Sequence, residues 1–244
     1  MATYENVLIA SNCGRETYDH SHGFSLSSIN SSAAANIPRY AIISKVTIYL
    51  DVNHDTVFGT LGNADFTVWL CNNESDNSGT ALMSGETKKD SVVHTANITS
   101  QVNTTYPFSF KTSYSTLAVY YDSTTKRLYH CDKFKIIYEY SVPTFTVTTG
   151  VETGQGTTTG DGTYTCGTNV NVTATASNGY KFFQWTDGNT DNPRVITATS
   201  SNNYVYNAVF YKIGLYVGNN PVKEIYVGDK LVKELYKGYG RLFY

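Results

Sequence analysis

The sequence predicts an all-β protein, and three observations support that prediction. The chain has 21 tyrosines and 19 glycines but only two methionines, a composition typical of strands and turns rather than helices. Several segments alternate apolar and polar residues with the period of two that a half-buried strand requires. The last thirty residues repeat with a period of ten, which suits one strand plus one tight turn and is too short for a helical repeat.

Length and charge restrict the classes of function. With 244 residues, 41% of them hydrophobic, the chain can form one large β domain or two smaller ones, each with its own core. Only 16% of residues are charged and the formal net charge is -2, so we expect no basic surface for nucleic acid or an anionic membrane. Since the first residues resemble no signal peptide and no apolar run could span a bilayer, we expect synthesis as a soluble cytoplasmic chain.

Residues 1–141 are the first predicted unit. Val46, Ile48, Leu50 and Val52 alternate with polar residues, as in a half-buried strand. A second strand at 66–71 places Trp69 on the face opposite Phe66, Val68 and Leu70, and further strands are predicted at 116–121 and 134–140. Alanines within 31–36 predict a single helical turn in a long leading loop.

Long polar connections separate these strands, at 53–64, 72–89 and 122–127. Such spacing favours a β-sandwich with jelly-roll or Greek-key wiring over a simple meander. The order of the pieces, with ISKVTIYLDV near the start and FKIIYEY at the end, resembles the jelly-roll modules of carbohydrate-binding domains and of viral and phage structural proteins. A fold so widely shared does not fix a function.

Pro143 marks the predicted boundary of a second unit, residues 142–212, because proline cannot continue a central strand. Four motifs follow in order: GDGTY at 160–164, GTNVNVTA at 167–174, GYKFFQWTDG at 179–188 and the closing AVF at 208–210. The series resembles the divergent internalin-type B repeat, also called the Listeria-Bacteroides repeat. The resemblance implies a small β-grasp-like module of about 70 residues, used as a spacer or adhesive unit in surface proteins and phage fibres.

The residues of this module agree with the resemblance. Gly179 and Gly188 stand where a turn needs positive φ. The alternating apolar residues are expected core positions, and we interpret Trp185 as a structural tryptophan whose indole N–H finds a backbone acceptor, with contact to a sugar or protein as the alternative. The expected core positions are Val170, Val172, Phe182, Trp185, Ala208 and Phe210.

Residues 213–244 form the third predicted unit, a docking tail. LYVGNNPVKE, IYVGDKLVKE and LYKGYGRLFY are three copies of one decapeptide with glycine at 218, 228 and 238, which predicts an antiparallel meander with turns at those glycines. The repeats resemble the short YVGD repeats that close structural and fibre proteins of phages of gut bacteria. The apolar residues predicted to form an interface are Leu215, Tyr216, Val217, Ile225, Tyr226, Val227, Leu235, Tyr236, Phe243 and Tyr244.

We find no catalytic constellation in the sequence, and we expect neither an enzyme nor a cofactor. Nucleophile-elbow, HExxH and Walker motifs are absent from the sequence. The pair His20 and His22 lacks a third ligand, and the calcium-like series 51–55 lacks the glycine and glutamate of an EF-hand loop. We therefore predict no metal site. The four cysteines are expected to be buried thiols, with a Cys71 to Cys131 bridge as the alternative.

Aromatic residues are the remaining candidates for binding in the first unit, since tyrosine and tryptophan serve both sugar platforms and protein interfaces. The candidates are Trp69, Tyr106, Tyr114 and Tyr121. For Trp69 three alternatives stay open: a subunit interface, a sugar platform, and burial beneath a loop.

The pattern as a whole favours a non-enzymatic virion protein of a tailed phage, of crAss-like or similar type. We expect a head-decoration or fibre-type component, made in the host cytoplasm, that binds other virion proteins and forms a homo-oligomer. The alternative is a carbohydrate-binding or adhesion module that recognises a host-surface glycan.

Overall fold

The computed structural model describes residues 1–9, 21–54, 64–73, 79–87, 92–121 and 129–214, together with 216–217, 220–221, 226–227, 229–231, 235–237 and 240–242. The chain divides into two compact units, Met1–Pro143 and Thr144–Tyr244. Strands make up most of the described residues, and a single α-helix occurs among them. The prediction of an all-β fold is confirmed.

The first unit has two four-stranded sheets. Sheet I has the strand order β1-β8-β3-β6, and sheet II has the order β2-β7-β4-β5. The strands are β1 (Ala2–Ile9), β2 (Ser21–Ser25), β3 (Ile42–His54), β4 (Ala64–Cys71), β5 (Thr80–Thr87), β6 (Val92–Asn97), β7 (Thr116–Tyr121) and β8 (Tyr129–Ser141).

The pairing of these eight strands follows one rule. The first strand pairs with the eighth, the second with the seventh, the third with the sixth and the fourth with the fifth, all antiparallel. The pair β3 with β8 completes sheet I, and the pair β4 with β7 completes sheet II. This is the arrangement reached by rolling up one long antiparallel hairpin, so the unit has the double Greek-key wiring of a jelly roll.

The core lies between the inward faces of the two sheets. Val46, Ile48, Leu50 and Val52 of β3 are all 0% exposed, as the period-two pattern predicts. Each such buried aliphatic side chain contributes about 1.5–3 kcal/mol relative to exposure. They share one hydrophobic cluster with Phe66, Val68, Leu70, Leu117, Val119, Phe134, Ile136 and Tyr138.

The helix α1 (Leu26–Asn36) is longer than the single turn expected at 31–36. Its buried residues Leu26, Ile29 and Ala33 are spaced three and four apart, so they form one helical face. Serines and asparagines, which are poor helix formers, occupy much of the rest of the helix and weaken the signal. The Tyr4 hydroxyl of β1 lies 2.6 Å from Ser32 Oγ, which ties the helix to sheet I.

The second unit begins with seven strands in two sheets. One sheet has the order β11-β9-β15-β13 and the other the order β10-β12-β14. Strands β9 and β15 are parallel, so the first and last strands of this part lie side by side. The strands are β9 (Thr144–Thr153), β10 (Gly156–Thr159), β11 (Gly162–Thr165), β12 (Asn169–Ala176), β13 (Tyr180–Trp185), β14 (Arg194–Thr197) and β15 (Asn203–Lys212).

The predicted core positions of this part are buried with one exception. Val170, Val172, Trp185, Ala208 and Phe210 are buried, whereas Phe182 is half-buried and its ring lies 5.4 Å from that of Trp185. Gly179 and Gly188 have φ of 82° and 85°, as the predicted turns require.

The described residues of the tail form antiparallel pairs, as the sequence predicts. Among these residues there are three two-stranded sheets, one in each copy of the decapeptide. The closing pairs Val217–Asn220, Val227–Lys230 and Lys237–Gly240 each enclose two residues, the first of which is glycine. The strands are β16 (Tyr216–Val217), β17 (Asn220–Pro221), β18 (Tyr226–Val227), β19 (Lys230–Leu231), β20 (Leu235–Lys237) and β21 (Gly240–Leu242).

His94 of β6 fills the space between the two edge strands β5 and β6 of the sandwich. Its ring packs edge-on against Phe66 at 4.7 Å, and its Nε2 lies 3.1 Å from the carbonyl oxygen of Glu86. A Cβ at Gly85 would lie 2.8 Å from ring atoms of both His94 and Phe66. Glycine is therefore required at position 85, because the two rings occupy the place of a side chain.

We expect Gly85→Ala to destabilise the first unit by about 1–3 kcal/mol, the usual cost of overpacking. Replacing His94 with alanine removes one of the two clashing rings, so Gly85→Ala should cost less in a His94→Ala background. Urea denaturation of the wild type, both single variants and the double variant measures the coupling. If the free-energy changes of the two single variants add up to that of the double variant, the His94 ring is not the reason for glycine at position 85.

Candidate binding surfaces

Trp69 lies on the outward face of sheet II, as predicted. Register places it opposite Ala118 of β7 and Ala81 of β5. The next row of the same face pairs Thr67 with Tyr120 and Ser84. We call these six residues, Thr67, Trp69, Ala81, Ser84, Ala118 and Tyr120, the Trp69 face.

The Trp69 side chain is half-buried, yet its indole Nε1–H is buried and meets no hydrogen-bond acceptor among the described residues. A buried donor without a partner costs about 1–3 kcal/mol. Most such groups in native proteins have partners, so an exception calls for a specific explanation. Nothing in the described part of the first unit uses the polar atom that distinguishes this tryptophan from a phenylalanine.

Tyr120 is a further aromatic residue of this face, and it is not among the candidates predicted from the sequence. Leu117 and Val119 of β7 are 0% exposed in the core, so alternation places Tyr120 on the outward face, diagonal to Trp69. Period-two alternation along β7 is the signal that would have found it. Asp65 and Glu86, both exposed, form the adjoining row directly opposite each other.

The other three aromatic candidates of the first unit do not join the Trp69 face. Tyr121 pairs in register with Phe66, a core residue, and its side chain lies outside what the structure describes. Tyr114 is half-buried and packs against the core. Tyr106 is 45% exposed, and its ring contacts Phe108 and the Arg39 guanidinium, neither of which belongs to the Trp69 face.

Trp185 has the structural role that we predict for it. It is 0% exposed, and its Nε1–H donates a hydrogen bond of 2.9 Å to the carbonyl oxygen of Asp191. The chain between these residues is a turn in which the Asn189 amide donates to Asp187 Oδ1 and the Asp191 amide to Asn189 Oδ1. These side chains are thus occupied in holding the turn.

Arg194 completes this turn. Its Nη1 lies 2.8 Å from Asp187 Oδ2, and its guanidinium stacks over the Tyr206 ring at 4.1 Å. Burial acts to raise the pKa of Asp187, but the hydrogen bonds and charge of Arg194, with the Asn189 amide, lower the pKa below its ordinary value. A second carboxyl, Asp161, also has a lowered pKa, because the Thr149 amide and hydroxyl donate to it.

Large apolar side chains are also exposed on the outward face of the sheet that contains β15. Val205 is 61% exposed, Phe183 55% and Tyr211 44%. The Phe183 and Tyr211 rings contact each other at 6.2 Å. Asn207 lies between Val205 and Tyr211 along β15, and its amide donates to Glu152. The apolar residues therefore do not form one continuous patch.

The predicted tail interface falls only partly within the described residues. Tyr216, Val217, Tyr226, Val227, Leu235 and Tyr236 lie on hairpin strands, and in the third hairpin Leu235 pairs with Leu242. Leu215, Ile225, Phe243 and Tyr244 lie outside the described residues. Their role at an interface stays a prediction.

The predicted metal-like series and the cysteines lie only partly within the described residues. In the described part of the chain, no three His, Cys, Asp or Glu side chains are grouped so that they could hold a metal ion, and no helix there is long and apolar enough to cross a membrane. His20 and Asp55, from the two metal-like series, lie outside the described residues. Cys166 is a buried thiol, and Cys71 is buried with its Sγ donating to the Thr116 carbonyl.

Comparison with known proteins identifies one part of the chain. Residues 145–214 match the family model of the divergent InlB B-repeat domain, as the motif series predicts. This part of the chain is thus similar to a B-repeat domain, and we refer to it as the B-repeat domain. No curated protein matches the chain.

Two solved structures are similar to the chain at a low level. The CBM22-1 xylan-binding domain from Paenibacillus barcinonensis Xyn10C is 17% identical, with a TM-score of 0.28, and the match covers 56% of this chain and 81% of that one. A chain of Desmodium yellow mottle tymovirus is 10% identical, with a TM-score of 0.29, over 58% of this chain and 88% of that one. TM-scores this low carry no argument about function.

We expect the B-repeat domain to lose stability in acid, partly through Asp187. A carboxyl whose folded pKa lies below its unfolded value contributes stability above the unfolded pKa, and that contribution is lost as pH falls through the folded pKa. Asp187→Asn should therefore flatten the dependence of the unfolding midpoint on pH below about 4. Thermal unfolding between pH 2 and 7 measures this effect, with Asp191→Asn as the matched control. Parallel curves for wild type and Asp187→Asn would contradict it.

Proposed function

We propose that this protein is a non-enzymatic structural component of a tailed-phage particle, either a head decoration or a fibre-type protein. It is made in the host cytoplasm, is carried on the virion and binds neighbouring virion proteins and further copies of itself through surface contacts. The observation that carries the proposal is the tail, in which three hairpins follow each other at a spacing of ten residues.

An isolated two-stranded hairpin is marginal in water. Among the described residues, each tail hairpin has two or three residue pairs, and none of these hairpins is hydrogen-bonded to another. Covering by a partner surface, or pairing at the strand edges, supplies the missing stabilisation.

The repeat also favours self-association. Tyr216, Tyr226 and Tyr236 occupy the same position in successive hairpins, opposite Pro221, Leu231 and Arg241. A surface that repeats along the chain offers the same contacts several times, so a second copy can bind it with additive strength.

The two larger modules suit such a role. Jelly rolls occur in viral capsid and lectin domains, and the B-repeat domain forms a compact core from about 70 residues. Neither fold fixes a function by itself, which is why the proposal depends on the tail.

The test compares the full-length protein with a Leu215→Asp, Ile225→Asp double variant. Charges at these two equivalent positions should disfavour an apolar interface, so the wild type should be oligomeric and the variant monomeric by light scattering after size-exclusion chromatography. Asp229→Asn, at an exposed position of the second hairpin, is the matched control and should stay oligomeric.

Two outcomes would contradict the proposal. One is a wild type that stays monomeric at all concentrations examined, and the other is a double variant that assembles as well as the wild type. Mass spectrometry of purified particles from a producing host then tests the location, since a virion protein must be found in them at a fixed copy number.

A further inference from the structure

We propose that the Trp69 face binds a neutral polysaccharide. This function goes beyond attachment through the tail, because it uses a different surface in the first unit. It depends on the aromatic pair, the polar groups beside it and the unpaired indole N–H.

The aromatic pair gives the face its shape. Trp69 and Tyr120 are diagonal neighbours on adjacent strands, and small residues flank the indole in its own row, with Ala118 on one side and Ala81 on the other. The indole is half-buried, so part of its ring is exposed on this face. A rigid aromatic surface of this kind suits the apolar C–H face of a pyranose ring.

The polar groups beside the pair indicate which ligand fits. Thr67 and Ser84 supply hydroxyls in the Tyr120 row, and the exposed carboxylate of Asp65 supplies an acceptor in the next row. Carboxylates accept hydrogen bonds from sugar hydroxyls. The negative charge of Asp65 disfavours an anionic ligand. A neutral glycan is therefore favoured over an acidic one.

The unpaired indole N–H shows that the described fold does not require tryptophan at position 69. Trp185 provides the internal comparison, because its N–H is bonded to the Asp191 carbonyl, whereas that of Trp69 meets no acceptor among the described residues. A residue that leaves a buried polar group unpaired, without adding stability elsewhere in the fold, is expected at a functional site. We attribute the large ring of Trp69 to contact with the ligand.

The binding test is native affinity electrophoresis of the full-length protein. Gels contain hydroxyethyl cellulose, galactomannan or dextran as neutral probes and polygalacturonate as the anionic probe. At least one neutral polysaccharide should retard the protein, and polygalacturonate should not. Trp69→Ala and Tyr120→Ala should each weaken the retardation at least tenfold, whereas Tyr106→Ala, an exposed aromatic outside the face, should leave it unchanged.

Trp69→Phe separates a binding role from a structural one. Because the N–H is unpaired, this variant should keep the unfolding midpoint of the first unit, while Trp185→Phe should lower that of the second unit. Trp69→Phe should also bind more weakly than the wild type, since its ring is smaller.

The proposal is overturned if none of the three neutral polysaccharides retards the protein, if polygalacturonate retards it equally well, or if Trp69→Ala binds like the wild type. It is also overturned if Trp69→Phe destabilises the first unit as Trp185→Phe destabilises the second, because the ring would then be structural. The proposal is likewise overturned if a protein binds the Trp69 face and no glycan competes with it. None of these results bears on assembly through the tail.

Discussion

The pairing of β3 with β8 is the interaction on which the first unit depends. These are the two longest strands of the unit, they lie side by side in the middle of sheet I, and their register joins residues 42–54 to residues 129–141. Because the partners are almost ninety residues apart, the pairing forces the intervening strands to fold back in pairs and produces the jelly-roll order. Once the inward faces of both sheets are filled by apolar side chains, the alternate residues must point outward. The Trp69 face is a consequence of that alternation.

The structure also shows which strands a sequence can predict. The four strands expected from alternation, β3, β4, β7 and β8, are the central strands of their sheets. The four edge strands, β1, β2, β5 and β6, were not expected, and the described side chains explain why. The only buried residue of β1 is Asn6, and β6 has none. An edge strand covers the core with fewer side chains, so its apolar pattern is too weak to be recognised.

The roles of single residues can also be predicted only in part from the sequence. The buried role of Trp185 was predictable because the motif around it places a turn immediately afterwards, and the turn supplies a carbonyl for its indole N–H. The position of Trp69 on the outward face was predictable from its place between Val68 and Leu70, but the unpaired state of its N–H was not, because that depends on atoms from other strands. Tyr120 was missed because adjacent tyrosines at 120 and 121 obscure which of the two faces outward.

The B-repeat domain and the tail show two ways of stabilising small β structures. The domain has a dense core around Trp185 and Phe210, and polar side chains such as Asp187 and Arg194 fix its turns. Among its described residues the tail has two or three residue pairs in each hairpin, and an isolated two-stranded hairpin is marginal in water. In this account, contact with a partner surface stabilises the tail, as the core stabilises the B-repeat domain.

Hydrogen exchange measured as a function of protein concentration tests this claim most directly. Backbone amides of residues 213–244 should exchange rapidly in dilute protein and become protected as copies associate. Amides of β3 and β8 should keep the same protection throughout. Tail amides that are as well protected in the monomer as in the concentrated sample, or unprotected at every concentration, would contradict the account.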